Sequence, residues 1–480
     1  MTYEAVIGIE THVELRTRSK MFCRCPVDFG AEPNTNVCPV CLGLPGALPV
    51  PNRQAIEWTI ALGSALGATI ATNSVFHRKN YFYADLPKNY QISQYDVPLC
   101  VGGHLDVDVD GTTARVGITR VHLEEDTGKS SHLGGDGRIH GADAVRIDFN
   151  RSGIPLMEVV SEPDIRSPEV ARAYAQELQS IVIALGVSDA RLEEGSMRFD
   201  ANVSLRPQGA EALGTKVEVK NMNSMRSLQR ALAYEIDRQT KLLDSGGSVA
   251  QETRHWDEAN GRTDPGRSKE ESSDYRYFQE PDLLPLEIPD EMIDGLVGAL
   301  PELPTVRRGR LTELGVDPAS AQTIVSGDLT GLLDDAVAAG ADARAAGIWL
   351  AGEVIAHLNR HGGDATLLHL DGPGLAELCA MVAAAELSAT AAKEVLAGVF
   401  AGEGSPRAVA EARDLMQVSD EAALGAVVEA VLAEHAEEVA RLRDGEDRLV
   451  GFLVGKVMAA SGGKADPALA SELIRRFAAS

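Results

Sequence analysis

Tyrosine is distributed unevenly along this chain of 480 residues. All nine tyrosines lie at or before Tyr277, and the remainder is rich in Ala, Leu, Glu and Arg at helical spacing. Residues 281–289 (PDLLPLEIP) form a stiff proline-containing linker, and residues 402–406 (GEGSP) mark a second break. A chain of this length is too long for one ordinary domain. We therefore expect domains at residues 1–292, 293–404 and 405–480.

The first part mixes strand and helix patterns without a regular βαβ rhythm. Residues 6–15 and 216–220 alternate between apolar and polar side chains, which predicts strands. Helices are predicted at residues 52–66, 168–185 and 224–243, where Asn52 and Ser167 are suitable N-caps. This order indicates an α+β domain with an antiparallel sheet, followed by two all-α domains.

Acidic residues concentrate in two segments, HLEED (122–126) and RIDFNR (146–151). In the second segment Val145, Ile147 and Phe149 alternate with polar residues, so a strand would turn one face to a core. In the first segment, alternation separates Glu125 from Glu124 and Asp126. Clustered carboxylates are costly without a cation, and hard oxygen ligands suit Mg²⁺. We interpret the pair of segments as a magnesium–nucleotide site, and the alternative is a solvated hairpin whose acids face water.

Two further stretches carry groups that suit such a site. A strand over residues 6–15 places Glu10 and His12 on one face, roughly 7 Å apart. Residues 76–95 are rich in tyrosine and contain Lys79 and Lys88, which is typical of a loop that binds phosphates and bases. The alternative for this stretch is an aromatic hairpin. GKSS at residues 128–131 is not a P-loop, because Leu123 occupies the position of its first glycine.

Four of the six cysteines form two close pairs, C-x-C at Cys23 and Cys25 and C-x-x-C at Cys38 and Cys41. This spacing favours a zinc site with four thiolate ligands over disulfides. Four protein ligands leave no open position, so the metal would hold a loop in place and would not catalyse. The alternative is a set of unrelated buried thiols.

The charge balance limits the modes of nucleic-acid binding. The chain carries 71 acidic against 45 basic side chains, a net charge of -26, which argues against wholesale nonspecific binding of nucleic acid. A local basic patch near the C-terminus, formed by Lys456, Lys464, Arg475 and Arg476, can contact RNA phosphates. The alternative is that these residues are dipole partners at helix ends. No apolar run of about 20 residues occurs and the N-terminus lacks a basic start, so we expect a cytoplasmic protein.

Longer segments occur in an order typical of one family. They read GIETHVEL, HRKNYFYADLPKNYQISQY, HLEEDTGKS, DFNRSGIPLMEVVSEPD, EGSMRFDANVS, KVEVKNMNS, ETRHWD and SKEESSDYRYFQEPDL. With the cysteine pairs and GKVMAASGGKADP near the end, they closely resemble the B subunits of the bacterial tRNA-dependent amidotransferases. The resemblance covers essentially the whole chain. It implies an ATP-dependent ligase that converts Glu-tRNA(Gln) to Gln-tRNA(Gln), or Asp-tRNA(Asn) to Asn-tRNA(Asn).

The resemblance also implies an architecture and a set of site residues. It implies a cradle domain with a glutamine-synthetase-like sheet that binds ATP and Mg²⁺, a helical domain and a tail domain that contacts tRNA. The implied Mg²⁺ ligands are Glu10, His12 and Glu125, and the catalytic set adds Asp148 and Arg151; the choice among residues 124–126 stays open. The implied ATP or substrate ligands are Lys79, Tyr81, Lys88 and Asn150. The implied zinc ligands are the four paired cysteines.

The chemistry implied by the family needs partners. A carboxylate must be phosphorylated before ammonia can displace a good leaving group, and this step needs metal, cations and positioning but no protein nucleophile. No G-x-S-x-G segment of an amidase occurs in the chain. The resemblance implies that a separate amidase subunit supplies ammonia and that a small third subunit wraps the two. Two other hypotheses are a noncatalytic tRNA-binding scaffold and an ATP-dependent ligase for a small acid.

Overall fold

The computed structural model describes residues 2–134, 143–266, 275–363, 365–417, 421–461 and 465–479. The chain forms two compact units, Met1–Leu303 and Pro304–Ser480. Across the described ranges, no helix combines the length and the apolar character that crossing a membrane requires.

The strands of the described residues all lie in the first unit. They are β1 (Tyr3–Glu14), β2 (Thr69–Ile70), β3 (Asn73–Ser74), β4 (His77–Asn80), β5 (Tyr90–Ser93), β6 (Cys100–Val101), β7 (His104–Val109), β8 (Thr112–Glu125), β9 (Lys129–Leu133), β10 (Ala144–Asp148), β11 (Pro155–Ser161), β12 (Met197–Pro207), β13 (Val217–Lys220), β14 (Thr253–Asp257), β15 (Arg262–Pro265), β16 (Phe278–Gln279) and β17 (Leu286–Glu287).

The helices of the first unit are α1 (Arg53–Ala65), α2 (Pro168–Ala184), α3 (Met225–Asp244) and α4 (Asp290–Gly298). Those of the second unit are α5 (Pro304–Glu313), α6 (Pro318–Ser326), α7 (Thr330–Ala338), α8 (Ala343–Trp349), α9 (Ile355–Arg360), α10 (Gly372–Ala383), α11 (Ala389–Phe400), α12 (Pro406–Ala412), α13 (Glu421–Glu434), α14 (Ala436–Arg443), α15 (Leu449–Ala460) and α16 (Pro467–Ala479). A π-helical turn, Leu350–Val354, joins α8 to α9, and a 3₁₀ turn spans Ala365–Leu367.

The first unit is built on one large mixed sheet. Its strand order is β15-β14-β13-β12-β1-β11-β8-β6-β2, and β7 pairs with β8. The pairs are antiparallel, as the sequence predicts, except that β13 and β14 run parallel. The reason is that α3 connects these two strands, and a helical crossover returns the chain in the same direction.

Helices cover one face of this sheet. On β1, Ile7, Ile9 and Val13 are at most 1% exposed and join a core that includes Tyr174 of α2 and Leu228 of α3. The polar residues of the same strand alternate with these and point to the opposite face, because strand side chains alternate. The polar face, opposite the helices, is therefore the place for a functional site.

Capping residues begin the predicted helices where the sequence places them. The Asn52 side chain accepts hydrogen bonds from the backbone N–H groups at the start of α1, and Ser167 does the same for α2. Ser224 caps α3 through the N–H of Ser227. N-cap residues predict helix starts well, because the cap side chain satisfies backbone N–H donors that no helical carbonyl can reach.

The second acidic segment does not enter the large sheet. Among the residues that the structure describes, strand β10 pairs with β9 in a separate two-stranded ribbon, and Val145 is 47% exposed. Phe149 and Asn150 lie in a turn beyond the strand end. The expectation that Val145 and its alternate residues face a core is therefore wrong, because a two-stranded ribbon has no second layer to bury them.

The second unit is helical over its described residues. Buried apolar side chains of α5–α12 form one cluster, and those of α13–α16 form another. Val409 and Ala410 of α12 belong to the first cluster, although they follow the break at residues 402–406. At the other expected boundary, near residue 292, the chain lies inside α4, whose Met292 and Ile293 pack on the first unit's core.

Candidate active site

Antiparallel register brings polar residues from neighbouring strands into rows on the open face of the sheet. His12 of β1 pairs with Glu158 of β11 and Arg198 of β12, and Glu158 pairs with His122 of β8. Directly opposed residues in a sheet have side chains on the same face. Four polar side chains are thus aligned across four adjacent strands.

His12, Glu124 and Glu158 form a compact cluster on this face. The His12 Nε2 atom lies 3.5 Å from Glu158 Oε2 and 3.8 Å from Glu124 Oε1. Each residue offers one ligand atom, and these atoms lie within 4.8 Å of one another. His122 Nε2 is 3.4 Å from Glu158 Oε2, behind the cluster. Two carboxylates and an imidazole fit a hard divalent cation such as Mg²⁺ or Mn²⁺.

The cluster holds its charges through mutual interactions. Burial alone would lower the pKa of His12, but the hydrogen bond and charge of Glu158, with the charge of Glu124, raise it to about 9. Burial would raise the pKa of Glu158, but His122 and His12 hold it well below its usual range. The Glu158 carboxylate and the His12 imidazole are therefore both charged at neutral pH when no metal is bound. A bound divalent cation would replace the proton of His12.

Lys79 supplies a cation beside this cluster. Its Nζ atom lies 3.9 Å from Glu124 Oε2 and 5.2 Å from the centre of the Tyr275 ring. Burial would lower the pKa of Lys79, but the charge of Glu124, together with those of Tyr277 and Glu158, raises it above its usual range. The predicted ligand Tyr81 lies nearby and donates a hydrogen bond of 3.2 Å to the side chain of Gln91. A charged lysine next to a carboxylate that could bind a metal suits phosphate binding.

Glu10 belongs to a second acidic cluster, with Asp200 and Glu218. Lys220 already pairs with two of these acids, because its Nζ atom lies 2.6 Å from Asp200 Oδ2 and 3.0 Å from Glu218 Oε1. Burial, followed by the charge of Glu158, raises the pKa of Glu10. Asn202 donates a hydrogen bond of 3.2 Å to Glu10. This cluster fits a second cation only if Lys220 moves aside.

A third polar group combines two carboxyls with two guanidinium groups. Asp126 lies 2.9 Å from Arg198 Nη2 and 3.7 Å from Arg151 Nε. Burial and the neighbouring charge of Asp126 raise the pKa of Glu14 to about 8. Burial would also raise the pKa of Asp126, but the charges of Arg198 and Arg151 hold it below its usual range. Glu14 is therefore largely protonated at pH 7. Arg151 also donates to the carbonyl oxygens of residues 127 and 128, which positions this turn.

Glu125 points away from these groups. Its carboxylate forms a buried ion pair with Lys88 and accepts a hydrogen bond of 2.8 Å from the backbone N–H of Ile92. A cavity of about 70 Å³ lies beside this pair, and its lining includes Phe22 and Cys41. The structure thus does not bring together Glu10, His12 and Glu125, because Glu124 and Glu125 lie on opposite faces of β8. Of the acids at residues 124–126, Glu124 is the one beside His12.

Asp148 and Asn150 lie against the cysteine loop. Asp148 Oδ1 accepts hydrogen bonds of 2.9 Å from the backbone N–H groups of Asn34 and Asn150. Asn150 accepts from the N–H of Asn36 at 2.8 Å and donates to the carbonyl of Glu32 at 2.7 Å. In this geometry both side chains hold the loop between the two cysteine pairs.

The four paired cysteines converge. Their sulfur atoms lie within 4.8 Å of one another, and Cys38 and Cys41 are 3.9 Å apart. Tetrahedral Zn²⁺ with bonds of about 2.3 Å requires sulfurs roughly 3.8 Å apart, so this donor set fits zinc. A hydrogen bond from the Cys23 thiol lowers the pKa of Cys41 to about 5. Cys100 and Cys379 are buried elsewhere and stand apart from the group.

Three of the four predicted tail residues can be located. Lys456 lies on α15, and Arg475 and Arg476 lie on α16, all exposed. Arg475 forms an ion pair of 3.1 Å with Asp447. Lys464 lies outside the described residues. The exposed cations are therefore on two helices that pack together in the second hydrophobic cluster of the unit.

Sequence reasoning did not single out several polar residues that line the sheet. They are Glu14, Glu158, Arg198, Asp200, Glu218 and Lys220. A signal existed for Glu158, which is one charged residue in the apolar strand PLMEVVS and is only 7% exposed. Charged residues are almost never this buried unless they are paired. Arg198 and Asp200 alternate with buried Phe199 and Ala201, which predicts their face but not their partners.

Both units of the chain match known proteins of the same kind. A family model described as the GatB/GatE catalytic domain matches residues 5–294, and one described as the GatB domain matches residues 331–477. A Frankia casuarinae protein, named as the B subunit of an aspartyl/glutamyl-tRNA(Asn/Gln) amidotransferase, is 53% identical over 98% of this chain and 95% of the relative. Proteins of the same name from Moorella thermoacetica and Synechocystis sp. are 49% and 46% identical, over 99% of this chain and 99% and 98% of their own lengths. The chain therefore belongs to the family of aspartyl/glutamyl-tRNA(Asn/Gln) amidotransferase B subunits.

Proposed function

We propose that this chain activates the side-chain carboxylate of a mischarged tRNA with ATP and then lets ammonia displace the phosphate. The substrate is Glu-tRNA(Gln), Asp-tRNA(Asn) or both, as in the printed names of its relatives. The single observation that carries the proposal is the cluster of His12, Glu124 and Glu158 beside Lys79. This group can hold a divalent cation and a phosphate next to each other.

The ligand set proposed for Mg²⁺ is His12, Glu124 and Glu158, with Glu10 close by in the second acidic cluster. When bound, Mg²⁺ neutralises phosphate charge and orients the γ-phosphoryl group. Lys79 would contact a phosphate oxygen, because its charge is available on the same face. Compared with the set implied by the family segments, Glu124 takes the position given to Glu125. Lys88 and Glu125 then form a pair on the other face of β8.

The reaction needs no nucleophile from the protein. One oxygen of the substrate carboxylate attacks the γ-phosphorus, the bond to the β-phosphate oxygen breaks, and ADP leaves. Ammonia then attacks the carbonyl carbon of the acyl phosphate, phosphate leaves and a proton is lost to give the amide. The side chains of this chain act by positioning and by stabilising charge, which are the main sources of catalysis in phosphoryl transfer.

Asp148, Asn150 and Arg151 have positioning roles in this proposal. Asp148 and Asn150 hold the cysteine loop, and Arg151 holds the turn at Thr127 and the carboxylate of Asp126. The cysteine loop itself would be stabilised by a structural Zn²⁺ bound to the four sulfurs. Tyr81 stays a candidate contact for the substrate.

Ammonia and tRNA come from outside the chain in this proposal. A separate amidase subunit would release ammonia from glutamine, and a small third subunit would complete the complex. The tail at residues 405–480, with exposed Lys456, Arg475 and Arg476, would contact tRNA phosphates. The division into a cradle at residues 1–292, a helical domain at 293–404 and this tail remains part of the proposal. A cytoplasmic location follows from acting on aminoacyl-tRNA.

The test uses the complex in which this chain is co-purified with the amidase and the small third subunit. ATP hydrolysis is measured with and without Glu-tRNA(Gln) or Asp-tRNA(Asn), first in Mg²⁺ and then in EDTA. Turnover should require both the mischarged tRNA and Mg²⁺, and the more active tRNA identifies the substrate. Glu124→Gln should lower the rate of tRNA-dependent hydrolysis by about 100-fold or more, because it removes a charged ligand of the Mg²⁺ that would neutralise the reacting phosphate.

Asp237→Asn is the matched control, since Asp237 is an exposed acid on α3 whose ion pair with Lys241 is on the surface. It should hydrolyse ATP at the wild-type rate. If an assembled complex binds tRNA but does not hydrolyse ATP in response, the scaffold hypothesis replaces this one. If ATP is hydrolysed at the full rate with a free amino acid in place of the tRNA, the small-acid ligase hypothesis replaces this proposal.

A further inference from the structure

Five tyrosines form a continuous series of ring contacts beside the candidate active site. The rings follow the order Tyr83, Tyr81, Tyr275, Tyr277 and Tyr95, and we call them the tyrosine series. Their successive centroid distances are 6.2, 5.9, 6.0 and 4.3 Å, and the last pair is stacked with planes 8° apart. The series connects the loop after β4 to the end of β5 through the segment before β16.

The two ends of the series are open to solvent. Tyr83 is 60% exposed and Tyr95 is 55% exposed, and Phe82 beside Tyr83 is 70% exposed. The middle of the series is partly buried. Large aromatic side chains that are exposed together, as Phe82 and Tyr83 are, are typical of a binding surface, because their exposure to water is unfavourable.

The protein fixes the segment that carries the middle of the series. Arg78 of β4 makes two hydrogen bonds to Glu280, at 2.7 and 2.8 Å, and Glu280 is fully buried. The backbone N–H of Asn80 donates to the carbonyl of Tyr275 at 2.9 Å, and its side chain donates to the carbonyl of residue 276 at 2.8 Å. The rings are therefore held in place before any ligand binds, which lowers the entropic cost of binding.

The series is connected to the reacting groups through Lys79. The Lys79 ammonium group lies 5.2 Å from the Tyr275 ring centre and 3.9 Å from Glu124. A ligand on the tyrosine series thus has a cation next to it and the His12–Glu124–Glu158 cluster directly beyond. A polyanion with flat bases matches this combination of rings and positive charge better than an apolar protein segment does.

We infer that the tyrosine series binds the unpaired nucleobases at the 3′ end of the substrate tRNA, by stacking on Tyr83 and Tyr95. This inference rests on the proposed function. The aminoacyl ester is attached to the terminal nucleotide, so that end must reach the acid cluster. ATP has one base, whereas the series offers exposed rings at two ends. Successive unstacked bases are bound in this way by aromatic side chains in proteins that recognise single strands.

The experiment measures the dissociation constant of tRNA for the full complex, alongside the KM for ATP. Tyr83→Ala and Tyr95→Ala should each weaken tRNA binding roughly 5- to 150-fold, the range expected for loss of one base–aromatic stack. The KM for ATP should stay within about twofold of wild type. Tyr83→Phe keeps the ring and should restore most of the lost affinity.

A truncated tRNA identifies the contact. Removing the terminal adenosine should weaken tRNA binding to the wild-type complex. In the alanine variant that lacks the tyrosine on which this base stacks, the same truncation should reduce the affinity much less. Phe29→Ala is the control, because Phe29 is 75% exposed and lies outside the tyrosine series. It should bind full-length and truncated tRNA as wild type does.

Two results would overturn the inference. In the first, both alanine variants raise the KM for ATP and leave tRNA affinity unchanged, which would assign the rings to the adenine of ATP. In the second, neither quantity changes in the alanine variants, although the wild-type complex shows tRNA-dependent ATP hydrolysis. A wild-type complex without such hydrolysis would instead contradict the proposed function, so the two failures are distinguishable.

Discussion

Glu124 and Glu125 are adjacent residues with equal burial but different surroundings. Both are 2% exposed. Glu124 faces His12 and Lys79 on the side of the sheet opposite the helices, and Glu125 faces Lys88 on the other side. One carboxylate is therefore available to a ligand together with an imidazole, and the other is neutralised within the protein. A change at each position should have a different measurable consequence.

Breaking the pair of Lys88 and Glu125 should destabilise the first unit. Lys88→Met leaves Glu125 buried without its cation, and removing one partner of a buried pair costs about 3–5 kcal/mol. Urea unfolding in a Trp349→Phe background measures this, because the remaining tryptophans both lie in the first unit. The exposed pair of Lys241 and Asp237 is the control, and Lys241→Met should have no measurable effect. Equal stability of the two variants would contradict the prediction.

The raised pKa of His12 predicts a pH-dependent stability in metal-free protein. Its pKa is about 9 in the folded chain against 6.5 for a free histidine, so its stabilising effect is complete below pH 6.5 and is lost as pH rises towards 9. The free energy of unfolding of wild type minus that of His12→Gln should fall by about 3 kcal/mol over this interval. Urea unfolding in EDTA at several pH values measures the difference. A difference that does not vary with pH would contradict the assignment.

The cysteine loop is the element that joins two parts of the sequence. Its two cysteine pairs are separated by residues 26–37, and Asp148 and Asn150 hold residues 32–36 of this segment by hydrogen bonds. The end of β10 and the turn after it thus contribute to the fold of a loop more than 100 residues away in the chain. Metal binding to the four sulfurs would complete an arrangement that the hydrogen bonds have already formed.

Loss of one thiolate should remove the metal and loosen this element. Cys38→Ser should reduce the zinc content of the purified protein well below one equivalent and increase hydrogen exchange over residues 32–42, because a structural metal contributes directly to folding. Metal analysis and exchange measured by mass spectrometry test this. Cys379→Ser is the control, since Cys379 is buried in the second unit away from the four cysteines. Wild-type zinc content in Cys38→Ser would exclude the four-thiolate site.

At the scale of the whole molecule, charge is unevenly distributed. The chain carries a net charge of -26, yet Lys456, Arg475 and Arg476 lie exposed on the last two helices. An acidic protein that binds a polyanion must use local cations of this kind, because its overall field repels the ligand. Contacts made by these residues to tRNA should be electrostatic and independent of base sequence.

Replacing one tail cation should therefore change the salt dependence of tRNA binding. Lys456→Gln should weaken binding and lower the slope of log affinity against log salt by about 0.7–0.9, the value for one phosphate contact. Titrations of the complex with tRNA at several salt concentrations measure the slope. Lys393→Gln, which removes an exposed lysine of α11 paired with Glu353, should leave the slope unchanged. An unchanged slope in Lys456→Gln would assign this lysine to helix stabilisation.

Local features of the fold were predictable from local signals. The first residues of α1, α2 and α3 follow from the N-caps Asn52, Ser167 and Ser224, because a cap acts on its own backbone within three residues. The alternation of β1 placed Glu10 and His12 on one face, because side chains two residues apart on a strand point to the same side. The parallel pairing of β13 and β14 was not predicted, since a pattern of alternation does not encode the direction of the neighbouring strand.

The sequence by itself determined the family, the spacing of the four cysteines and the face of β1 that carries polar groups. Only the tertiary structure decided which acids meet His12. Register between β1, β8 and β11 brought in Glu158 and selected Glu124, and the ribbon of β9 and β10 directed Asp148 to the cysteine loop. The physical reason is that chain neighbours are set by covalent geometry, whereas partners across a sheet depend on pairing between distant segments.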